Sequence, residues 1–181
     1  MDSRFDVIGL LAPLRRYAAV LTRNDADADD LVHDALVRAY ERRQTFHSSG
    51  DLRPWLFSVL HNRFVDGQRR KEAEAARNRE VADTVETAAP ANQDSSVRLQ
   101  QIRTAFLALP EDQRAALHLV AIEGLSYQDA AVALGIPLGT LMSRVGRARA
   151  ALRSFEDGTA SVPQQEGLTR PNLRVVGGTN G

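Results

Sequence analysis

The chain contains no cysteine, which excludes disulfide bonds and cysteine-ligated metal sites. It also has no apolar run long enough to span a membrane, and its first residues lack the basic and apolar regions of a signal peptide. The formal net charge is zero, because 23 Lys and Arg balance 23 Asp and Glu. These absences favour a cytoplasmic protein, and they make the placement of charge, rather than its sum, the guide to partners.

Strand-like alternation of apolar and polar residues is also missing, and apolar residues recur instead at helical spacing. With 181 residues, 43% of them hydrophobic, the chain can build one medium core or two small ones. The sequence predicts an all-α fold with two small helical domains, residues 1–71 and 96–155. Residues 72–95 hold almost no large apolar residue and are predicted to be a flexible linker, and residues 156–181 a disordered tail.

Charge is segregated along the chain. Residues 24–34 carry five acidic side chains and no Lys or Arg, whereas residues 138–153 carry four arginines and no acidic side chain. The arginines are Arg144, Arg147, Arg149 and Arg153. Such separation indicates that different faces of the protein meet different partners.

Residues 125–149 carry the signals of a helix-turn-helix. Ser126 is placed to cap a first helix with Asp129 in the capping-box position, and Gly135 stands where the chain leaves that helix. Pro137 restarts a second helix, whose predicted buried stripe is Leu141, Val145, Ala148 and Leu152. The other side of this helix presents Thr140, Ser143, Arg144 and Arg147. A basic second helix of this kind is typical of modules that enter the major groove of DNA, and an ordinary helical hairpin is the alternative.

The predicted third helix, from Asp51 to about Lys71, shows two patterns. Its apolar stripe is Leu52, Trp55, Leu56, Val59 and Leu60. Opposite lies a polar strip of Ser58, Asn62, Asp66, Arg69 and Arg70. Asn and Arg pair with base edges and phosphates, and the preceding loop with Phe46, His47 and Ser48 is a place to hold an unstacked base. The alternative is a solvated face beside a loop whose Phe fills the core.

The acidic second helix, capped by Asn24 or Asp25, has an exposed face that we call the α2 face. Its members are Asp30, His33, Asp34, Val37 and Arg38. An apolar Val37 among charges suits a protein interface, although a solvated helix is the alternative. We also expect Phe57 and Phe64 to add apolar surface near it.

Five stretches of the sequence carry a family resemblance. They are residues 27–40 (DADDLVHDALVRAY), 52–63 (LRPWLFSVLHNR), 109–114 (LPEDQR), 124–131 (GLSYQDAA) and 139–144 (GTLMSR). The first two resemble region 2 of a bacterial sigma factor, and the other three resemble its region 4. Two such domains without a third between them resemble the extracytoplasmic-function (ECF) sigma factors. The sequence departs at His33, where the family usually has Gln, and at Gly146, which interrupts the second helix.

The resemblance implies an alternative sigma factor that gives core RNA polymerase its promoter specificity. It implies a core-polymerase-binding surface formed by Asp30, His33, Asp34, Val37 and Arg38. It implies that the melted −10 strand is read by Phe46, His47 and Ser48 of the loop and by four residues of the predicted third helix, which we call the −10 strip: Asn62, Asp66, Arg69 and Arg70. It implies that the −35 element is read by Thr140, Ser143, Arg144 and Arg147. No catalytic residue, metal, cofactor or small-molecule substrate is expected.

Other functions remain open from the sequence. A stand-alone helix-turn-helix regulator is disfavoured, because no dimerisation segment or ligand pocket is evident. A sigma-mimicking protein that binds an anti-sigma factor is disfavoured, because 181 residues leave no room for the receiver domain of known decoys. The four histidines show no metal-ligand spacing and are expected at a surface or interface. The resemblance further implies an anti-sigma factor partner, with the free protein a monomer or bound to that partner 1:1.

Overall fold

The structure is a computed structural model that describes residues 7–46, 51–77 and 97–156. Within these ranges the chain forms seven α-helices, two short 3-10 helices, one π-helical turn and no strand, which confirms the all-α class. None of these helices is both long enough and apolar enough to cross a membrane. The helices are α1 (Leu11–Thr22), α2 (Asp25–Glu41), α3 (Leu52–Arg77), α4 (Val97–Ala108), α5 (Glu111–Leu117), α6 (Tyr127–Leu134) and α7 (Leu138–Glu156).

A tight reversal joins α1 to α2. Arg23 ends α1 in the left-handed region with φ 58°, and the side chain of Asn24 then accepts hydrogen bonds from the backbone N–H groups of Ala26 and Asp27 at 2.9 and 3.2 Å. Asn24 is therefore the N-cap, one of the two residues predicted for this role. The buried side of α2 consists of Ala28, Ala35 and Ala39, and these small side chains allow α1 and α3 to pack closely on it.

The buried side of α3 differs from the predicted apolar stripe. The buried residues are Leu56, Phe57, Leu60 and Phe64, whereas the predicted stripe members Leu52, Trp55 and Val59 are only partly buried. The expectation that Phe57 and Phe64 add apolar surface is wrong, since they are only 1% and 8% exposed. The reason is that α3 packs against α2 and also against α6 of the second domain.

The end of α3 also differs from the prediction. The helix continues to Arg77, so residues 72–77 of the predicted linker are helical and exposed. The rest of that linker, residues 78–95, lies outside the described residues, as does the predicted tail from residue 157 onward.

The helix-turn-helix forms as predicted from helices α6 and α7. Ser126 Oγ accepts a hydrogen bond from the backbone N–H of Asp129 at 3.0 Å, and Gly135 ends α6 in the left-handed region with φ 63° and ψ 33°. On α7, Leu141, Val145 and Ala148 are fully buried. Leu152, the last member of the predicted stripe, is only half-buried.

Two glycines of this module are predicted to respond oppositely to alanine. A Cβ added at either Gly135 or Gly146 would meet nothing within 4 Å, so only the backbone distinguishes them. Gly146 is inside α7, where Gly146→Ala should raise the free energy of unfolding by about 1 kcal/mol. Gly135 has φ 63°, so Gly135→Ala should lower it by about 1 kcal/mol. Urea unfolding followed by circular dichroism tests this, and shifts of the same sign would contradict it.

The two domains pack directly against each other. Helix α3 of the first domain contacts α6 of the second, and α1 contacts α5. The side chain of Arg114 is buried in this contact: its Nε donates to the carbonyl of Val20 at 2.9 Å, and its Nη1 donates to the carbonyl of Leu109 at 2.8 Å. The structure is thus a closed arrangement in which the domains share one continuous core.

Candidate nucleic-acid interface

The α2 face is exposed along its length, as predicted. All five of its members are exposed, and Val37 keeps 47% of its surface accessible. Asp34 is tied to α3, because Arg63 donates to its Oδ2 at 2.7 Å. Arg38 forms a second exposed ion pair with Glu41 at 3.1 Å. Asp34 is therefore held in place by a neighbouring helix, which the sequence pattern did not indicate.

The −10 strip lies on α3 beside this face. Asn62, Asp66 and Arg70 are exposed at consecutive i, i+4 positions, and Arg69 is exposed next to them. Phe46 is half-buried, and its ring centroid is 5.3 Å from that of Trp55. The predicted members His47 and Ser48 lie outside the described residues.

The α2 face and the −10 strip share one open cleft of about 440 Å³ between α2 and α3. The predicted residues that line it are Asp34, Val37, Arg38, Asn62, Asp66 and Arg70. The cleft is also lined by Trp55 and Val59 of the predicted apolar stripe and by Glu41, Arg42, Thr45, Ser58 and Arg63. Two surfaces that the sequence treats as separate are thus contiguous in space.

The predicted −35 face on α7 is only partly open. Ser143 and Arg147 are exposed, and Thr140 is half-buried. Arg144 is an exception to the predicted free basic face, because its Nε is 3.1 Å from Asp112 Oδ2 of α5 and its side chain is only 25% exposed. Arg147 Nε donates weakly to the carbonyl of Ser143 at 3.4 Å. A duplex would therefore meet Ser143 and Arg147 directly, and it would compete with Asp112 for Arg144.

A buried polar cluster lies between the domains, and no pattern in the sequence indicated it. The Tyr17 ring lies near the rings of both His61 and His118, with centroid distances of 6.3 and 5.5 Å. Tyr17 Oη is also 3.0 Å from His61 Nδ1. Glu123 is 2% exposed and contacts His118 Nε2 at 3.2 Å. The described residues contain no group of three or more potential ligands able to hold a metal ion.

Burial controls the protonation of this cluster. It lowers the pKa of His61 to about 4, with a further lowering by Arg144. It also lowers the pKa of His118 to about 4, although Glu123 acts in the opposite direction. Burial raises the pKa of the Tyr17 hydroxyl. Both histidines are therefore neutral near pH 7, and His118 donates Nε2–H to the Glu123 carboxylate.

These pKa values predict that the closed protein loses stability in acid. An unfolded histidine takes up its proton near pH 6.5, whereas His61 and His118 resist protonation until about pH 4. Between these values the unfolded state binds more protons, so stability should fall as pH falls, by up to about 3 kcal/mol for each histidine. Urea unfolding at several pH values measures this loss. His61→Gln should flatten the pH dependence, and a curve as steep as that of the parent would contradict the assignment.

Comparisons with known proteins agree with this two-domain arrangement. A family model described as the Sigma2 domain of PhyR matches residues 8–61, and one described as Sigma-70, region 4 matches residues 99–152. The chain is 36% identical over 182 residues to the ECF RNA polymerase sigma factor EcfG of Rhodopseudomonas palustris strain TIE-1, and the match covers 98% of this chain and 96% of EcfG. It is 34% identical to the ECF RNA polymerase sigma factor SigM of Mycobacterium tuberculosis, over 77% of this chain and 69% of SigM.

A solved structure extends the likeness to three dimensions. It contains the sigma factor RpoE in complex with the anti-sigma factor NepR from Bartonella quintana, with 34% identity and a TM-score of 0.71. The match covers 84% of this chain and 94% of that chain. Family models for both domains, a relative matched over nearly its whole length and a common fold lead to one conclusion: this chain belongs to the ECF RNA polymerase sigma factors.

Proposed function

We propose how this sigma factor divides its task among its surfaces. As a family member it binds core RNA polymerase and directs it to specific promoters. The α2 face contacts core polymerase, the −10 strip and the loop at Phe46 hold the melted −10 strand, and the exposed side of α7 reads the −35 duplex. The polymerase catalyses RNA synthesis, in the cytoplasm where polymerase and DNA meet.

The observation that carries this assignment is the capped helix-turn-helix with Ser143 and Arg147 exposed on its second helix. A helix of this kind reads base edges in the major groove of a duplex. The α2–α3 cleft is suited to a different substrate, because it combines Trp55 with Asn62 and Arg70. Aromatic and basic side chains together are typical of surfaces that hold unstacked single strands.

Gel-shift assays with promoter DNA, with and without core polymerase, test this function. We expect a specific complex only when both the protein and core polymerase are present, because each domain alone has little surface for tight binding. Tight binding of promoter DNA by the free protein would overturn the assignment and favour a stand-alone regulator. A melted −10 duplex should bind better than the fully paired one, which isolates the contribution of α3.

We further propose that an anti-sigma factor occludes the α2 face around residues 30–38. The solved relative is bound to its anti-sigma factor NepR. In this chain Val37 of the α2 face and Tyr40, one helical turn further along α2, are exposed apolar side chains, at 47% and 60%. An amphipathic helical segment has the apolar stripe and charged edges needed to cover such a surface.

Competition with core polymerase is the expected result for such a partner. The protein is recovered from a native lysate of its source, a bound helical protein is purified, and its effect on the binding of core polymerase is titrated. We expect mutually exclusive binding, because both partners need the α2 face. A partner that binds without displacing polymerase would contradict the occlusion proposal. Val37→Asp should weaken the binding of the partner to this protein.

A further inference from the structure

Glu123 connects the two domains through a buried carboxylate. It follows the π-helical turn of the second domain (His118–Ile122), and its side chain has no exposed surface. Arg16 of α1 donates to both carboxylate oxygens, from Nε and Nη2, at 3.1 Å each. Arg53 of α3 donates from Nη2 at 3.1 Å. Both arginines belong to the first domain, so the charge of Glu123 is neutralised mainly from across the domain boundary.

This arrangement allows the domains to separate without leaving a charge stranded in the interior. Arg16 and Arg53 lie at the rim of the contact, with 52% and 38% of their side chains exposed. In the closed form the Glu123 carboxylate is covered, and Arg16 and Arg53 of the first domain pack on it. On separation all three groups would reach water, whereas loss of one partner in the closed form leaves a buried charge uncompensated. The ion cluster therefore favours the closed form only while it is complete.

Other contacts close the same boundary, and two buried atoms weaken it. The Arg114 side chain reaches the Val20 carbonyl, and Tyr17 stacks on His118. Within the described part of the chain, Arg53 Nε and His118 Nδ1 are buried without a hydrogen-bond partner. A polar atom buried in this way costs free energy in the closed form. The Glu123 ion cluster thus stabilises the contact between the domains, whereas the two unpaired atoms destabilise it.

The closed form is too small to contact both promoter elements. Elements centred near −10 and −35 are about 25 base pairs apart, which is roughly 85 Å of B-form duplex at about 3.4 Å per base pair. A compact body of about 130 residues has a radius of gyration near 14 Å. Its longest helix, α3, has 26 residues and is about 39 Å long, so the body is roughly 40 Å across. With the α7 face and the −10 strip in one such body, simultaneous recognition requires the domains to move apart.

We infer that Glu123, Arg16 and Arg53 form an autoinhibitory latch that holds the free sigma factor closed, and that binding to core polymerase must break it. This inference rests on the proposed function for its consequence, but the closed state itself is a property of the free chain. Breaking the latch by substitution should raise the open fraction. The apparent affinity for core polymerase should rise in proportion, because only the open fraction is competent to bind in the extended form.

Neighbouring arginines on α1 offer a matched pair of variants. Arg16 pairs with Glu123 across the boundary, whereas Arg15 pairs with Asp29 inside the first domain. The chain has no cysteine, so Ala12→Cys and Ala150→Cys, both at exposed positions, give unique labelling sites on the two domains. Distances between the labels are measured by fluorescence energy transfer in the free protein, with Arg16→Gln, Glu123→Gln or Arg15→Gln added. Binding to core polymerase is titrated separately for each variant.

We expect a short distance for the parent and for Arg15→Gln, and a longer one for Arg16→Gln and Glu123→Gln with at least threefold tighter binding to core polymerase. Arg16→Lys should restore part of the closed population, and circular dichroism should show unchanged helicity. Unchanged distances in both latch variants, or opening without tighter binding, would overturn the latch. If neither the parent nor any variant binds polymerase, the proposed function is wrong. The distances in the free protein would still show whether the latch residues hold the two domains together.

Discussion

Replacing Arg144 and Arg147 together by alanine should abolish most transcription from a cognate promoter. Each arginine that contacts a base edge contributes about 1–3 kcal/mol to specific binding, so losing both should reduce promoter use roughly 100-fold or more. The effect on folding should be small. Arg147 is exposed, and Arg144 loses only a partly exposed pair with Asp112. Run-off transcription with reconstituted polymerase measures the change.

The same helix supplies a control of equal charge. Arg149 and Arg153 are exposed on other sides of α7, and Arg149 contacts the Tyr127 hydroxyl at 3.2 Å. The double variant Arg149→Ala, Arg153→Ala should keep most promoter activity while losing the same two charges. Unchanged transcription in the Arg144, Arg147 double variant would contradict the assignment. Equal losses in both double variants would show that net charge, and not the reading face, supports DNA binding.

Reversing charge at Asp30 and Asp34 should weaken binding to core polymerase roughly 100-fold, because like charges brought together at an interface cost several kcal/mol. Both side chains are exposed on α2, so helicity should be retained. Asp34→Arg also places a cation beside Arg63, its present partner at 2.7 Å. Fluorescence anisotropy with labelled protein and unlabelled core polymerase measures the affinity.

Helix α2 also provides the matched control for this experiment. Asp25 and Asp29 have the same i, i+4 spacing and are exposed, and Asp29 pairs with Arg15 of α1 just as Asp34 pairs with Arg63 of α3. Reversing Asp25 and Asp29 changes the same charge on the side toward α1. Polymerase binding should survive this change. Parent-like binding by the Asp30, Asp34 variant would show that α2 is not the docking surface.

Local signals in the sequence were sufficient for the helix-turn-helix. A cap at Ser126, a left-handed Gly135 and a stripe through Leu141 and Val145 each act within one or two turns of chain, and all are present in the structure. Family membership followed from the same motifs and is confirmed by the comparisons. The roles of individual side chains in binding polymerase and DNA remain predictions.

Contacts between distant segments could not be predicted from the sequence. The periodicity of α3 identifies one buried side, but Phe57 and Phe64 are buried because helices cover α3 on two sides. Glu123 and Arg16 are separated by 107 positions, and each alone resembles an ordinary surface charge. The ion pair that partly covers Arg144, formed with Asp112, also depends on tertiary packing. Sequence patterns thus place the binding faces, whereas the closed arrangement emerges only in three dimensions.

The most direct measurement is transcription in vitro with purified core polymerase, this protein and genomic DNA from its source, followed by sequencing of the transcript starts. Discrete start sites should depend on the protein, and they should share sequence elements near −10 and −35. Removal of the −35 element should have little further effect on the Arg144, Arg147 double variant. Start sites identical to those of core polymerase alone would contradict the function assigned to this chain.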